Sequence, residues 1–267
     1  MNIGKKFRKI LYKNLSFEKY LRTLSRLYFF SYRSGLLRNN PGIRYPYFLK
    51  NIIKKGDVVI DIGANLGYYT CLFARWVGKT GKVYAIEPVE PVRNVLQKNA
   101  KKYPCVEILP YALGQENKTI QLGNDSLKSH GYVASGSHFV MDAPNNPEAV
   151  ENPEITFYAV MRKGSELFAN LDRIDFIKCD VEGYETVIIP EIQDVIKQFH
   201  PTLLIETGHE NRPKIISIMT DMGYEAMVLE HNKLRLQRPE DSDDILFVHP
   251  DRMTSVEPYF YPKNQTI

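Results

Sequence analysis

The sequence is poor in the features of disulfide-bonded, secreted and membrane-spanning proteins. Its 267 residues include only three cysteines, Cys71, Cys105 and Cys179, which are far apart and show no C-x-x-C spacing. This pattern excludes a disulfide scaffold and favours a reducing compartment. No apolar run approaches the roughly 18 residues of a membrane-spanning helix, and no signal-peptide core follows the basic residues 1–14. We therefore expect a cytoplasmic protein that does not span a membrane.

Acidic residues are nearly absent from the first 55 residues. This segment has 14 Lys and Arg and a single acid, Glu18, for a net charge of +13, whereas the rest has 21 basic and 30 acidic residues, for a net charge of −9. Apolar residues between positions 5 and 38 recur at roughly helical spacing, which predicts one or two amphipathic basic helices. We therefore expect a basic helical extension over residues 1–46 and a folded domain over residues 47–267.

The sequence leaves three roles open for this basic extension. Its helices can pack on the domain as a cover over the ligand cleft, which is the interpretation that we favour. Residues 1–38 can instead make a peripheral contact with an anionic membrane. Binding of nucleic acid through a basic face that carries aromatic residues is the alternative that we favour least.

A third glycine is missing from the loop that follows the first apolar run. Residues Val58–Thr70 are typical of a strand, a tight loop and the start of a helix, an arrangement that holds nucleotide-like ligands. Gly63 and Gly67 do not fit the G-x-G-x-x-G spacing that brings backbone close to a pyrophosphate. An acid is also a poor neighbour for phosphates, so a cationic, phosphate-free cofactor such as S-adenosylmethionine fits better. The expected cofactor-binding residues here are Asp61, Gly63, Asn65, Gly67 and Tyr68.

A second acid follows the next apolar strand. Glu87 lies 20 residues beyond Gly67, where a carboxylate at a strand end can accept hydrogen bonds from both ribose hydroxyls. Pro88 ends the strand and favours an extended conformation for the residue before it. We add Glu87 and Pro88 to the expected cofactor site, together with Ala112, which follows the third strand and lines the adenine by analogy with this fold class.

The alternation of strands and helices predicts a doubly wound α/β fold. We expect a mostly parallel, seven-stranded, Rossmann-like sheet that ends in an antiparallel hairpin. The expected strands are Val58–Ile62, Val83–Ile86, Val106–Leu109, Ile174–Cys179, Leu203–Glu206, Tyr224–Leu229 and Ile245–Val248. Residues 123–153, rich in Gly, Ser, Asn and Pro, are expected to be an irregular insertion that folds over the cleft and selects the acceptor.

The string Asp175–Glu185 (DFIKCDVEGYE) is the most specific motif in the chain. With the glycine loop and Glu87–Pro88, it resembles the FkbM family of S-adenosylmethionine-dependent O-methyltransferases over roughly residues 45–250. Cys179 stands where this family usually has an aliphatic residue. The resemblance implies that the chain transfers a methyl group to a hydroxyl of a small-molecule or glycan acceptor, such as a sugar in a glycan or a glycosylated metabolite.

Methyl transfer to a hydroxyl requires the protein to orient the acceptor and to take its proton. The candidates at the ends of the fourth and fifth strands are Asp180, Glu182, Glu206 and His209. Asp180 can hold the methionine amino group or the acceptor, and Glu182 or His209 can act as the base. Alternatively, the four residues can bind a divalent ion that lowers the pKa of the acceptor hydroxyl.

Two neighbours of these candidates are expected to have structural roles. Glu185 fits a carboxylate that is bonded to backbone N–H groups at a helix start. Lys178, inside the fourth strand, is expected to pair with one of the acids.

Two other classes of function remain possible from the sequence. A nicotinamide-dependent oxidoreductase uses the same strand ends, although the missing third glycine disfavours it. A noncatalytic scaffold that presents the basic extension is disfavoured because the cofactor loop and the acids are both present.

Overall fold

The chain folds as alternating strands and helices. A computed structural model describes residues 3–141, 153–208, 210–241 and 244–261. The strands are β1 (Val58–Ile62), β2 (Lys82–Ile86), β3 (Val106–Leu109), β4 (Tyr111–Leu113), β5 (Lys118–Asn124), β6 (Phe139–Val140), β7 (Ile155–Arg162), β8 (Phe176–Cys179), β9 (Thr202–Ile205), β10 (Glu225–Glu230), β11 (Lys233–Leu236) and β12 (Ile245–Val248). The helices are α1 (Ile3–Asn14), α2 (Phe17–Arg33), α3 (Arg44–Phe48), α4 (Thr70–Val77), α5 (Glu90–Ala100), α6 (Ser126–His130), α7 (Gly164–Phe168), α8 (Glu185–Glu191), α9 (Gln193–Phe199), α10 (Arg212–Asp221) and α11 (Met253–Val256).

The doubly wound α/β class is confirmed, with eight strands in the main sheet instead of the predicted seven. The strand order is β11-β10-β12-β9-β8-β1-β2-β3. The five strands from β9 to β3 are parallel, and β12 pairs antiparallel with both β9 and β10, as the predicted closing hairpin requires. The additional strand, β11, folds back on β10 through His231 and Asn232, which both have positive φ. Such a two-residue turn matches the right-handed twist of paired strands, and the sequence analysis did not recognise it.

A second sheet, which the sequence analysis did not predict, lies between β3 and α7. Its order is β4-β7-β5-β6, and β5 and β7 pair antiparallel over seven residues. Helix α6, strand β6 and the end of β5 fall within the stretch that was expected to be irregular, whereas residues 131–138 between α6 and β6 form no helix or strand. Residues 142–152 lie outside the described residues. The second sheet depends on pairing between β5 and β7, which are far apart in the sequence, and β5 is mostly polar.

The main sheet is buried on both faces. In β1, Val59 packs with Phe73 and Val77 of α4, whereas Ile60 packs on the opposite face with the cluster that includes Ile188 of α8. This alternation is what a parallel sheet covered by helices on both sides requires. Cys179 has no exposed surface and packs within the second of these clusters, so it acts as a small apolar residue, like the aliphatic one expected there.

The extension packs on the domain through α2 and α3. Tyr20 and Leu21 have no exposed surface and join a cluster with Leu66 and Val92. Helix α3 runs across the expected boundary at residue 46, and its Tyr45 hydroxyl donates a hydrogen bond to the Asp244 carbonyl oxygen at 2.7 Å. The extension is therefore continuous with the body of the fold. Among the described residues, no helix combines the length and apolar character needed to cross a membrane.

Candidate active site

The carboxyl ends of β1, β2, β8 and β9 meet at one cleft. Neighbouring parallel strands bring Asp61, Glu87, Asp180 and Glu206 to the same edge because each acid lies at or just after the end of its strand. The backbone of Asp180 continues the ladder, since its N–H donates to the Ile62 carbonyl oxygen at 3.2 Å. The predicted residues that line this cleft are Gly63, Asn65, Glu87, Pro88, Ala112, Asp180, Glu182 and Glu206.

The glycine loop passes unusually close to β8. Gly63 has φ +75°, and a Cβ placed on it would lie 1.8 Å from the Asp180 carbonyl oxygen. Only glycine fits this approach of two backbones. Gly67 has φ +85°, and a Cβ there would lie 2.7 Å from Leu96 Cδ1 of α5. Gly67 is not among the residues that line the cleft, so its position is explained by packing of the loop on α5.

Glu87 is held by the loop that it faces. The Asn65 backbone N–H donates to Glu87 Oε2 at 2.8 Å, and the Val89 N–H donates to Oε1 at 2.9 Å. Arg93 donates to the carbonyl oxygens of Glu87 and Pro88. Burial raises the pKa of Glu87 to about 7, although the two backbone bonds and Arg93 oppose this shift. The carboxylate is thus fixed at the strand end, with lone pairs left to accept ribose hydroxyls.

The pKa of Glu87 gives a testable pH dependence. If ribose hydroxyls of the cofactor donate to the ionised carboxylate, as the sequence predicts, ligand binding favours the deprotonated form. We expect the affinity for S-adenosylhomocysteine to be greatest above pH 7 and to fall below it, by at most about tenfold per pH unit. Calorimetric titration between pH 5.5 and 8.5 measures this, and Glu87→Gln should flatten the profile. A wild-type affinity that is constant over this range would contradict the assignment.

Asp61 carries an unsatisfied buried atom. Its Oδ2 accepts a hydrogen bond from the Thr70 hydroxyl at 2.6 Å, while its Oδ1 is buried with no partner among the described residues. Burial raises the pKa of Asp61, and the Lys178 ammonium opposes this shift. A buried carboxylate oxygen without a donor is costly, which makes this position suited to a cationic ligand group.

Asp61 and Tyr68 lie in a second cavity that adjoins the cleft. Both line it together with Lys178 and with Tyr28 of the extension, and Gly63, Asn65 and Asp180 line both spaces. The Tyr28 and Tyr68 rings lie with their centroids 4.2 Å apart. Helix α2 therefore forms part of the wall of this second cavity, next to the predicted cofactor-binding loop.

Asp180 and Glu206 share a proton next to a buried ammonium. Lys178 Nζ lies 2.8 Å from Asp180 Oδ2, which confirms the expected pairing with an acid. Burial alone would raise the pKa of Asp180, but the charge of Lys178 and the hydrogen bonds with Glu206 and Lys178 outweigh it and lower the pKa. The hydrogen bond to Asp180, followed by burial, raises the pKa of Glu206 to about 11. At neutral pH, a protonated Glu206 therefore donates to an ionised Asp180.

Glu182 completes the acidic cluster. Its φ is +53°, and ligand-capable oxygens of Asp180, Glu182 and Glu206 all lie within 4.8 Å of one another. Glu185 has the expected structural role, because its Oε1 accepts the Val181 N–H at 2.8 Å. His209, the fourth predicted catalytic residue, lies outside the described residues.

His138 lines the cleft, although the sequence analysis gave it no role. Its Nδ1 lies 3.0 Å from the Ser135 carbonyl oxygen, and its Nε2 is buried with no partner among the described residues. A carbonyl oxygen only accepts hydrogen bonds, so Nδ1 carries the proton and Nε2 has a free lone pair. Burial lowers the pKa of His138 to about 4, which keeps the ring neutral. The feature of the sequence that could have identified His138 is that it is a histidine in a segment expected to cover the cleft.

The segment that carries His138 lies against the cofactor loop. A Cβ placed on Gly136 would lie 3.1 Å from Asn65 Nδ2 and 3.4 Å from Glu182 Oε1. Residues 135–140 therefore close one side of the cleft, which is the position expected of a segment that selects the acceptor.

A Rossmann-like sheet with acids at the ends of its first, second and fourth parallel strands defines the class of nucleoside-cofactor enzymes. The family model of the methyltransferase FkbM domain matches residues 61–226, more than half of the chain. The chain belongs to the FkbM family of S-adenosylmethionine-dependent methyltransferases.

Curated relatives match only part of the chain. Protein-L-isoaspartate O-methyltransferase of Methanosarcina mazei is 35% identical over 99 residues, which are 37% of this chain and 37% of that protein. Probable cobalt-precorrin-6B C(15)-methyltransferase (decarboxylating) of Saccharolobus solfataricus is 43% identical over 90 residues, which are 34% of this chain and 45% of that protein. The matched region thus spans less than half the length of these two relatives.

Solved structures are similar to the chain at low identity and with TM-scores below 0.5. Methyltransferase FkbM from Methylobacillus flagellatus is 19% identical with a TM-score of 0.45, over 73% of this chain and 44% of that one. Aeropyrum pernix fibrillarin, solved with bound S-adenosyl-L-methionine, is 13% identical with a TM-score of 0.43, over 73% of this chain and 67% of that one.

Proposed function

We propose that the protein transfers the methyl group of S-adenosylmethionine to a hydroxyl of a neutral, polyhydroxylated acceptor, such as a sugar in a glycan. The acidic cluster carries this proposal. Asp180, Glu182 and Glu206 place carboxyl oxygens within 4.8 Å of one another in the cleft. Such a cluster accepts hydrogen bonds from sugar hydroxyls, whereas it repels an acceptor that is itself a carboxylate.

The residues present fit the cofactor. Gly63 lines the cleft where its loop meets the end of β8, Glu87 suits the ribose hydroxyls, and the unpartnered Oδ1 of Asp61 suits a cationic group. S-adenosylmethionine supplies an electrophilic methyl group and its own leaving group. What the chain must add is a position for the acceptor and a destination for its proton.

Glu182 is the proposed base. Asp180 is already paired with Lys178 and hydrogen-bonded to Glu206, and Glu206 carries a proton, so neither is free to take another at neutral pH. The acceptor hydroxyl would donate to Glu182, while Nε2 of His138 would accept a hydrogen bond from the acceptor and orient it. His209, which the sequence also proposed as a base, remains a second candidate for the same role.

A divalent metal ion is the competing mechanism. Three carboxylates meet its ligand preference, with Asp180, Glu182, Glu206 and His209 as the predicted set. However, an ion would have to displace the Lys178 ammonium from Asp180 and the proton from Glu206. We therefore expect turnover to change less than about twofold with EDTA, because proton transfer to a side chain needs no metal. Restoration of activity by Mg²⁺ or Mn²⁺ after chelation would contradict this.

The acceptor class is tested with labelled cofactor. Methyl transfer from [methyl-³H]S-adenosylmethionine is measured to neutral oligosaccharides, uronic-acid oligosaccharides and an isoaspartyl peptide. Transfer to neutral oligosaccharides supports the proposal, and transfer only to the peptide refutes it. Titration with NADH in parallel tests the nicotinamide alternative, and a lack of binding to both cofactors would favour the noncatalytic scaffold.

A further inference from the structure

Apolar side chains on the solvent face of α2 are not covered by the rest of the molecule. Leu27 is 41% exposed and Phe30 is 67% exposed. Arg26 and Arg33 lie on the same face as Phe30, since these positions are separated by four and three residues. Within the described residues, five of the eight exposed large apolar side chains lie in the extension. Leu27 and Phe30, three residues apart on α2, lie next to each other and form an exposed apolar patch, which is typical of a contact surface.

A groove with a basic lining runs between α2 and α5. We call it the α2–α5 groove, and its charged and most exposed lining residues are Arg26, Phe30, Arg33, Lys98, Lys101 and Lys102. No acidic side chain lines it among the described residues, although Glu18 pairs with Lys98. Five cations, two from α2 and three from the end of α5 and the turn after it, therefore converge on one surface. The sequence predicted the basic character of the first two helices but not the contribution of the lysines at the end of α5.

Charge and apolar character together select the partner. An anionic bilayer offers phosphates to the Arg and Lys side chains and an apolar boundary to Phe30 and Leu27. A nucleic acid also carries the negative charge that these cations require, yet it offers no apolar layer in which the aliphatic Leu27 could be buried. The net charge of +13 in residues 1–55, against −9 in the rest, also orients the molecule with this side toward a negative surface.

We propose that the α2–α5 groove and the exposed face of α2 dock the protein on an anionic membrane. Arg26, Arg33, Lys101 and Lys102 contact headgroup phosphates, and Phe30 enters the interfacial layer. This surface is separate from the acidic cleft, so membrane docking can be tested whether or not the proposed methyl transfer is correct.

Vesicle co-sedimentation of the full chain tests the docking. We expect binding to phosphatidylcholine vesicles that contain phosphatidylglycerol, little binding to pure phosphatidylcholine, and release at high salt. Arg26→Gln with Arg33→Gln should weaken partitioning by about 25-fold, or about fivefold for each charge lost. Phe30→Ser should weaken it severalfold and leave the salt dependence in place.

Matched variants control for charge and for exposure. Lys79→Gln with Lys214→Gln removes the same charge from exposed positions outside the groove, and Leu236→Ser removes an apolar side chain that is 62% exposed on β11. Both should bind vesicles as the wild type does. If the α2 double variant fails to fold, which far-ultraviolet circular dichroism shows, Lys101→Gln with Lys102→Gln tests the same groove from α5.

Three results would overturn the proposal. They are equal binding to neutral and anionic vesicles, no binding to either, and loss of vesicle binding that is the same in the control and groove variants. Tighter binding to a short RNA or DNA duplex than to anionic vesicles at the same salt concentration, lost in the groove variants, would assign the groove to nucleic acid instead.

Discussion

Gly63→Ala should abolish cofactor binding while leaving the chain folded. The Cβ alone would lie 1.8 Å from the Asp180 carbonyl oxygen, so either the loop or the end of β8 must move. The residue also has φ +75°, a conformation that costs a non-glycine residue about 1–2 kcal/mol. Because the displaced groups include both the cofactor loop and Asp180, we expect at least a 100-fold loss, or about 2.7 kcal/mol. Titration with S-adenosylhomocysteine measures it.

Gly35 supplies a matched control for this substitution. It has φ +80°, close to that of Gly63, but a Cβ there would meet nothing within 4 Å. Gly35→Ala therefore introduces the same backbone strain without the collision and should leave the affinity unchanged. If the two variants bind equally well, the narrow space between the loop and β8 is not required for the cofactor. The thermal unfolding temperatures of both variants show whether a loss of binding comes from a changed site in a folded chain or from unfolding of the chain.

The main sheet was largely predictable because its strands are buried on both faces. Val58–Ile62, Val106–Leu109 and Ile245–Val248 were predicted with the same bounds that the structure shows. Val58–Ile62 and Ile245–Val248 are short, mostly apolar and buried runs between polar or turn residues, which is typical of strands covered by helices. Val106–Leu109, the edge strand, is less buried and includes the exposed Glu107. The convergence of Asp61, Glu87 and Asp180 followed from the same prediction, because parallel strands end at one edge.

The second sheet could not be predicted from local pattern. Strand β7 alternates between more and less exposed residues and leaves Tyr158 and Val160 on an open face, 77% and 44% exposed. Its partner, β5, is held by seven residue pairs across more than 30 positions of sequence. Local propensity does not specify such a pairing. The position of His138 depends on it, since β6 pairs with β5 immediately after this residue.

The protonation states of the acids in the cleft could not be predicted from the sequence either. The sequence placed Asp180 and Glu206 at neighbouring strand ends, but a shared proton depends on distances that only packing fixes. Lys178 decides which partner is ionised, because its ammonium lies 2.8 Å from Asp180. The order of these pKa values gives a physical reason to leave Asp180 and Glu206 out as bases, so the two candidates that the sequence named, Glu182 and the undescribed His209, remain.

Glu182→Gln should remove turnover and retain the cofactor. The amide keeps the shape and part of the hydrogen bonding of the side chain but cannot take a proton, so we expect kcat to fall by about 100-fold or more. The affinity for S-adenosylhomocysteine should change little, because Glu87 and the glycine loop are untouched. Single-turnover transfer to the acceptor found in the labelled-cofactor assay measures the chemical step.

His138→Gln separates a base from an orienting group in the same cleft. Glutamine retains an acceptor near the position of Nε2, which is buried and unpartnered among the described residues. A group that only orients the acceptor should raise KM more than it lowers kcat when it is replaced. If His138→Gln instead lowers kcat as much as Glu182→Gln does, His138 is the base, and the neutral Nε2 receives the proton directly. If both variants have equally small effects, His209 becomes the candidate base. In that case His209→Ala should lower kcat strongly.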